Sequence, residues 1–260
     1  MRQFFNQFNK DFKQTFFNPV FFMMAGLCCS IWGFVFPRKL FEFARVAGVS
    51  PFAQGGMGGG GYNIYETVFI SHLSLTHLLL LFIVPIFTMR LISEEKKLRT
   101  FDLLLTAPIT STKIVLGKFL AAYAVVLVLV ILSFLYPIIT SWFAEFNITL
   151  LVSAYLSIAL LMGVYTAIGL FSSSLSASVM LSVFLGIIFS VALHFVSLGG
   201  QLSNNPLYSS VMEYLSVSTH LDNFFRGNIV SSSVVFFFIV IGFFLFMTQR
   251  VIESSRWRSQ

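Results

Sequence analysis

The chain has 260 residues, of which 57% are hydrophobic and 10% are charged, and its mean hydropathy is +0.88. A soluble domain usually carries about 25% charged residues, so this composition excludes an ordinary soluble protein and predicts an all-α polytopic membrane protein. The net charge of +6 comes from basic residues beside hydrophobic spans, which indicates membrane topology and not a nucleic-acid partner.

Phenylalanines recur every four residues near the start of the chain, at Phe4, Phe8, Phe12 and Phe16. On a helix this spacing forms one aromatic stripe, and most of the neighbouring polar side chains fall off it. The pattern predicts an amphipathic helix over residues 1–17 that lies in the membrane interface. A helix buried against another domain is the alternative.

Six uncharged stretches are long enough to cross a bilayer, which requires about 20 residues. They cover residues 19–36, 68–89, 119–142, 148–171, 178–198 and 229–248. Together they predict one six-helix transmembrane domain over residues 18–249, followed by a cytoplasmic tail over residues 250–260. A group of serines at 172–178 is predicted to separate the fourth span from the fifth.

Residues 37–67 are predicted to form a loop on the outer face. Gly56, Gly58 and Gly61 formally satisfy the GxGxxG pattern. Because no strand precedes them and no βαβ unit follows, the pattern does not indicate a nucleotide site.

The distribution of basic residues predicts that both termini face the cytoplasm. Twelve of the 16 Lys and Arg residues fall on the side that holds the termini, and four fall on the other side. Cytoplasmic segments carry such an excess of positive charge. Arg38 and Lys39, just beyond the first span, are exceptions to the pattern.

The most strongly charged interval between spans is residues 90–118, here called the elbow. It holds nine of the 26 charged residues. Four of its apolar residues follow helical spacing, and they are Leu98, Phe101, Leu104 and Leu105. Acids near the start suit a helix dipole and Pro108 ends the pattern, so the elbow predicts a short amphipathic helix with one apolar face. Contact with lipid alone is the alternative role for that face.

The sequence contains no recognisable catalytic set. It lacks a phosphate-binding loop and an HExxH motif, and its histidines and acids form no tight cluster. We therefore expect no catalytic residue, metal site or bound cofactor in this chain. A proton-driven carrier that uses His72, His77 and His194 is a weaker alternative, because ionisable groups within spans are often functional.

The segment SEEKKLRTFDLLLTAPITSTKIVLGKF resembles the signature of type-2 ABC transporter permeases, E-x-x-x-G-T-hydrophobic-x-x-L-L-x-[ST]-P-x-[ST] followed by h-x-G-K. The matching positions are Glu95, Thr100, Leu104, Leu105, Thr106, Pro108, Thr110, Gly117 and Lys118. Arg99 departs from the pattern, since glycine is usual there. Residues 214–257 are similar to the gliding-motility-associated branch of the same family.

The resemblance implies that two permease chains, identical or different, pair in the bacterial inner membrane and bind two separate ABC ATPase subunits. ATP and Mg would be held by those partners. The implied ATPase-coupling residues are Glu94, Glu95, Arg99, Thr100, Phe101, Leu104, Leu105 and Pro108. The substitution Phe101→Asp is then expected to abolish ATPase binding without preventing membrane insertion.

The resemblance also places short outer helices within residues 199–228, where Phe224, Phe225 and Gly227 are candidates for an extracellular gate. It implies an exporter-type transporter. The few polar residues in the spans suit a lipid-like substrate. They suit equally an alternative role without a substrate, as a membrane anchor or mechanotransmitter of an envelope or gliding-motility machine driven by the same ATPase.

Overall fold

A computed structural model describes residues 2–49, 63–101, 110–142, 146–201 and 205–258. Within those ranges the chain contains α-helices and no strand. The helices are α1 (Arg2–Phe16), α2 (Pro19–Val49), α3 (Ile70–Thr88), α4 (Ser93–Lys97), α5 (Ser111–Thr140), α6 (Ile148–Leu175), α7 (Val179–Gln201), α8 (Pro206–Tyr214), α9 (Val217–Phe225) and α10 (Ser231–Arg258). A π-helical turn, Tyr65–Phe69, leads directly into α3.

Six helical stretches are long and apolar enough to cross a membrane. They are Pro19–Val46, Tyr65–Lys97, Ser111–Thr140, Ile148–Leu175, Val179–Val196 and Ser231–Ser255. This confirms the predicted all-α fold with six membrane-spanning helices. The glycines of the predicted outer loop lie outside the described residues.

The first long helix extends further than the sequence predicts. Residues 37–49 were expected to belong to a loop, but α2 continues through Pro37 to Val49. A proline removes one backbone hydrogen bond, but the hydrogen bonds of the turns before and after Pro37 keep the helix continuous here. Lys39 and Glu42 form an ion pair of 3.1 Å across one turn of this extension, and such i,i+3 pairs support a helix.

The break between the fourth and fifth spans also differs from the prediction. Ser172, Ser173 and Ser174 were expected to separate the spans, but they are buried within the last turn of α6. The hydroxyls of Ser172 and Ser174 donate to carbonyls three residues earlier in the same helix, so neither polar group is left unpaired. The chain leaves the helical conformation at Ser176.

Helix α6 is the centre of the bundle and packs against α3, α5, α7, α9 and α10. Small residues allow these close contacts. A side chain at Gly169 would overlap Thr88 of α3, and a side chain at Gly163 would press on Ile241 of α10. Small residues are typical where membrane helices approach each other closely.

Helix α1 packs along the first half of α5. Its phenylalanine stripe is stacked, with ring centroids of Phe8 and Phe12 at 6.0 Å and of Phe12 and Phe16 at 5.5 Å. Phe12 and Phe16 pack against the hydrophobic core. Part of the stripe therefore faces the protein's own bundle, while Phe5 and Phe17 remain exposed.

Candidate functional site

The elbow is fixed to the end of α6 by a serine. The hydroxyl oxygen of Ser173 accepts the backbone N–H groups of Ile92 at 3.2 Å and Ser93 at 3.0 Å, and its own hydrogen is donated to the carbonyl of Met89 at 2.8 Å. The Lys96 ammonium donates to the carbonyl of Ser174. These bonds satisfy backbone groups at the start of α4, which has no side-chain N-cap, and they hold α4 to the central helix.

Helix α4 ends in a Schellman motif centred on Arg99. The N–H of Thr100 donates to the carbonyl of Glu95 at 3.0 Å, and the N–H of Arg99 donates to the carbonyl of Lys96 at 3.2 Å. Arg99 has φ +57°, the left-handed conformation that this motif requires and that glycine adopts most easily. The backbone therefore has the form expected of the glycine that is usual at this position of the signature.

Replacing Arg99 with glycine is expected to stabilise the protein by about 1 kcal/mol, because a left-handed conformation costs a non-glycine residue about 1–2 kcal/mol. Glycine loses part of that gain through its greater freedom in the unfolded chain. The midpoint of thermal unfolding in detergent should rise. Gly227→Ala is the matched control: Gly227 has φ +81° and its added carbon would press on Leu150, so that midpoint should fall. A lower midpoint for Arg99→Gly would contradict this account of the turn.

Three buried charged side chains join α4 to α1 and α5. The Lys118 ammonium of α5 lies 2.9 Å from the Glu95 carboxylate of α4 and 3.5 Å from the Asp11 carboxylate of α1. The exposed fractions of the three side chains are 1% for Lys118, 4% for Asp11 and 17% for Glu95. We call these residues the ion triad. Buried charges of this kind require partners, so the triad fixes how the three elements fit together.

Gly117 lies beside Lys118, and together they explain the G-K pair of the signature. A side-chain carbon at Gly117 would lie 3.6 Å from the Gln7 side chain and 3.7 Å from the Phe4 ring, so α1 crosses α5 at this glycine. Gln7 also donates to the carbonyl of Ile114 at 3.4 Å. The glycine provides a flat crossing point, and the lysine that follows pairs with Asp11.

The structure divides the predicted ATPase-coupling residues into two groups. Arg99 and Thr100 are exposed, together with Leu98. Glu95 and Phe101 face the protein interior, and Glu94 is half-buried. The remaining three lie outside the described residues, and they are Leu104, Leu105 and Pro108.

Phe101 and Leu98 do not share one apolar face. The sequence places them on the same side of one helix, but α4 ends at Lys97 and the turn at Arg99 intervenes. Leu98 is therefore 64% exposed, whereas Phe101 is 3% exposed. Phe101 belongs to a buried cluster with Ile92 and other residues of the bundle. The expectation that its ring contacts a partner does not agree with this burial.

The gate candidates form part of the core at the opposite end of the bundle. Phe224 and Phe225 are buried, and Gly227 ends α9 in a second Schellman motif. Their carbonyls are bonded to other elements: that of Phe225 accepts the Tyr65 hydroxyl at 2.6 Å and that of Phe224 accepts the Ser153 hydroxyl at 3.0 Å. The short helices α8 and α9, which the resemblance implies, are thus fixed to the bundle.

The span histidines bond to different partners. His72 lies 3.0 Å from the Ser133 hydroxyl, and His77 lies 2.8 Å from the Tyr165 hydroxyl. The His77 ring is also close to the His194 ring, with centroids 4.8 Å apart. No group of three His, Cys, Asp or Glu side chains that could hold a metal ion occurs among the described residues.

Sequence reasoning missed two residues of this site. Asp11 is the sole acid within residues 1–17, and an acid on an otherwise basic helix was the available signal for a buried ion pair. Ser173 had no comparable signal, because it is one of five serines between residues 172 and 178. Only the tertiary structure distinguishes it from its neighbours.

Comparison with known proteins identifies the family of this chain. The family model described as "ABC-2 family transporter protein" matches residues 5–226, a range that contains most of α1, the elbow and the first five membrane-spanning helices. No curated protein matches the chain significantly. Families of this kind supply the permease component of ABC transporters and associate with ABC ATPase subunits. The chain is therefore a multi-pass membrane protein that belongs to the ABC-2 family of transporter proteins.

Proposed function

We propose that this chain is the membrane subunit of an ATP-driven ABC complex, and that a separate ATPase subunit docks on the exposed turn of the elbow. One observation carries the proposal: Leu98, Arg99 and Thr100 are exposed on a turn whose neighbours, Glu95 and Phe101, are anchored in the bundle. Because the neighbours of this turn are bonded to the bundle, a force that a partner applies to the turn is transmitted to the helices.

The ion triad transmits that force from α4 to α5 and α1. Movement of α4 carries the Glu95 carboxylate with it, and the carboxylate is paired with Lys118 of α5, which is paired in turn with Asp11 of α1. Ser173 joins the same turn to α6. A displacement of the elbow therefore acts on three helices at once. Further ATPase contacts are assigned to Leu104, Leu105 and Pro108, and ATP and Mg to the ATPase.

The distribution of basic residues supports an orientation with both termini and the elbow in the cytoplasm, and the resemblance to type-2 ABC permeases supports a location in the inner membrane of a bacterium. The elbow and the N-terminal helix then lie on the side where ATP is available. The ends of α8 and α9 lie on the outer side.

A second permease chain is proposed to pack on α7. Met180, Phe184 and Ile188 are spaced four residues apart and are 72%, 57% and 57% exposed, so one face of α7 has no partner among the described residues. Several polar side chains of the spans bond to one another inside the bundle, as with His72 and Ser133 and with His77 and Tyr165. A substrate path is therefore proposed between two chains, for export of a lipid-like molecule. The same observation suits the alternative of a mechanotransmitter in an envelope or gliding-motility machine, which needs no path.

The test is gentle purification of the chain from its native membranes, followed by identification of the bound proteins by mass spectrometry. We expect a stoichiometric soluble protein that carries a G-x-x-x-x-G-K-[ST] phosphate-binding loop. A second permease of different sequence in the sample would identify a heterodimer. Absence of any such ATPase, from a sample whose circular dichroism shows intact helices, would contradict the proposal.

A further inference from the structure

A cavity of about 250 Å³ lies between α1, the beginning of α2, the end of α3 and the elbow. One wall is apolar and includes Phe21 and Phe87, which stand at the ends of two membrane-spanning helices. The other wall holds three cationic and three anionic side chains, which are Lys10, Arg90, Lys118, Asp11, Glu94 and Glu95. A single water needs only about 10–15 Å³ of such space, so the cavity is sized for a group of several heavy atoms.

The ion triad itself carries one net negative charge, because two carboxylates share one ammonium. Glu95 Oε2 is buried and accepts no hydrogen bond from the described residues. Asp11 Oδ2 is also buried and accepts no hydrogen bond there, although the Lys118 ammonium lies 3.5 Å from it. Asp11 is 3% exposed, so solvent does not satisfy its carboxylate. A buried polar atom without a partner is costly. A cationic group that carries N–H donors would supply the missing hydrogen bonds and balance the charge.

The same cavity also offers positive charge for an anion. Lys10 is exposed and Arg90 is half-buried, and neither forms an ion pair with another side chain in the described ranges. Glu94 is likewise outside those ion pairs. Arginine and lysine side chains are the usual ligands of phosphate groups. The cavity therefore presents separate attractions for an ammonium and for a phosphate.

We infer that this cavity binds the headgroup of an aminophospholipid, a lipid whose ammonium and phosphate are joined by two carbons. The ammonium is placed between Glu94 and the Oε2 atom of Glu95, and the phosphate near Lys10 and Arg90. The apolar wall receives the glycerol end of the acyl chains. The headgroup is assigned to a membrane lipid because Phe21 and Phe87 belong to two membrane-spanning helices. The apolar wall therefore leads toward the acyl region of the bilayer.

This lipid would bridge α1 and the elbow without replacing the ion triad. Its headgroup contacts Lys10 of α1 on one side and Glu94 of α4 on the other. Occupancy of the cavity would therefore stiffen the elbow. The inference concerns a bound lipid and does not depend on the proposed ATPase.

The test is native mass spectrometry of the full-length chain, purified in detergent and titrated with defined lipids. The probes are dioleoyl phosphatidylethanolamine, phosphatidylcholine and phosphatidylglycerol. We expect phosphatidylethanolamine to bind at about tenfold lower concentration than the other two, which corresponds to about 1.4 kcal/mol. Phosphatidylcholine lacks N–H donors on its ammonium, and phosphatidylglycerol lacks the cation.

Two variants separate the two halves of the site. Glu94→Gln should weaken phosphatidylethanolamine binding about tenfold and leave phosphatidylglycerol binding unchanged, whereas Arg90→Gln should weaken the binding of both lipids. Glu66→Gln and Lys113→Gln remove exposed charges of the same kinds outside the cavity and should bind as the wild type does. Circular dichroism of each variant verifies that the helices are intact.

Three results would overturn the inference. Equal or tighter binding of phosphatidylglycerol would show that only the positive charges act. Wild-type binding by Glu94→Gln and Arg90→Gln would show that lipid binds elsewhere. Displacement of the bound lipid by soluble glycerophosphoethanolamine at equal concentration would show that the apolar wall contributes nothing and that the ligand is not a membrane lipid.

Discussion

Replacing Lys118 with methionine is expected to lower the free energy of unfolding by about 3–5 kcal/mol, the range for breaking a buried ion pair from one side. Methionine fills similar volume, so the loss comes from charge. The variant leaves the carboxylates of Asp11 and Glu95 at the junction of three helices without a cation. Unfolding in a graded denaturant, followed by circular dichroism in detergent, measures the effect.

Lys113→Met is the matched control because Lys113 also lies in the first turns of α5 but is exposed. Its effect should stay within about 0.5 kcal/mol, as for most surface substitutions. Asp11→Asn combined with Glu95→Gln and Lys118→Met should destabilise less than Lys118→Met alone, because no uncompensated charge remains. If Lys118→Met and Lys113→Met unfold at the same denaturant concentration, the triad does not hold the junction.

Phe101→Asp is expected to destabilise the chain by more than about 3 kcal/mol, the lower value for removing a buried phenylalanine side chain. The aspartate adds the further cost of a buried charge. The ring is 3% exposed and packs in the cluster that includes Val115 and Phe119. The Lys96 ammonium lies 5.4 Å from the ring centroid. The same unfolding measurement and the yield of inserted protein report the loss.

The comparison with Leu98→Asp decides between burial and docking. Leu98 is 64% exposed, so an aspartate there should change the free energy of unfolding little while weakening binding of the ATPase. Phe101→Leu should cost less than about 1.5 kcal/mol, since it keeps most of the apolar volume. If Phe101→Asp unfolds like the wild type and loses only its ATPase, then the ring is a docking residue and its burial here is not the functional state.

Much of the fold follows from hydrophobic length alone. The six predicted spans correspond to six helices because about 20 uncharged residues have no other stable conformation in a bilayer. The ends of the helices are less predictable. Residues 37–49 were predicted to belong to a loop, yet α2 continues to Val49, since a helix that leaves the membrane can tolerate both a proline at position 37 and the charge of Arg38.

The elbow shows where periodicity fails. Leu98 and Phe101 are three residues apart, which on an unbroken helix would place them on one face. The left-handed Arg99 breaks that helix, and an arginine gives no warning of a turn that usually needs glycine. Glycine is usual at this position of the signature, which indicates a left-handed turn. Because this chain carries arginine there, the sequence predicted a continuous helix.

The pairing in the ion triad depends on contacts distant in sequence. Asp11 and Lys118 are separated by more than 100 residues, and no local pattern connects them. The crossing of α1 at Gly117 brings them together. A sequence reader can recognise each residue as unusual, but the identity of its partner requires the packing of α1 on α5.

Photo-cross-linking from the elbow tests the central claim most directly. A photoreactive benzoylphenylalanine would replace Leu98 in one sample and, as the control, Leu207 of α8 in another, which is 79% exposed at the opposite end of the bundle. After illumination in native membranes, we expect an adduct between position 98 and a protein with a phosphate-binding loop, and none from position 207. Adducts with lipid alone at position 98, or an ATPase adduct at position 207, would contradict docking of the ATPase on the elbow.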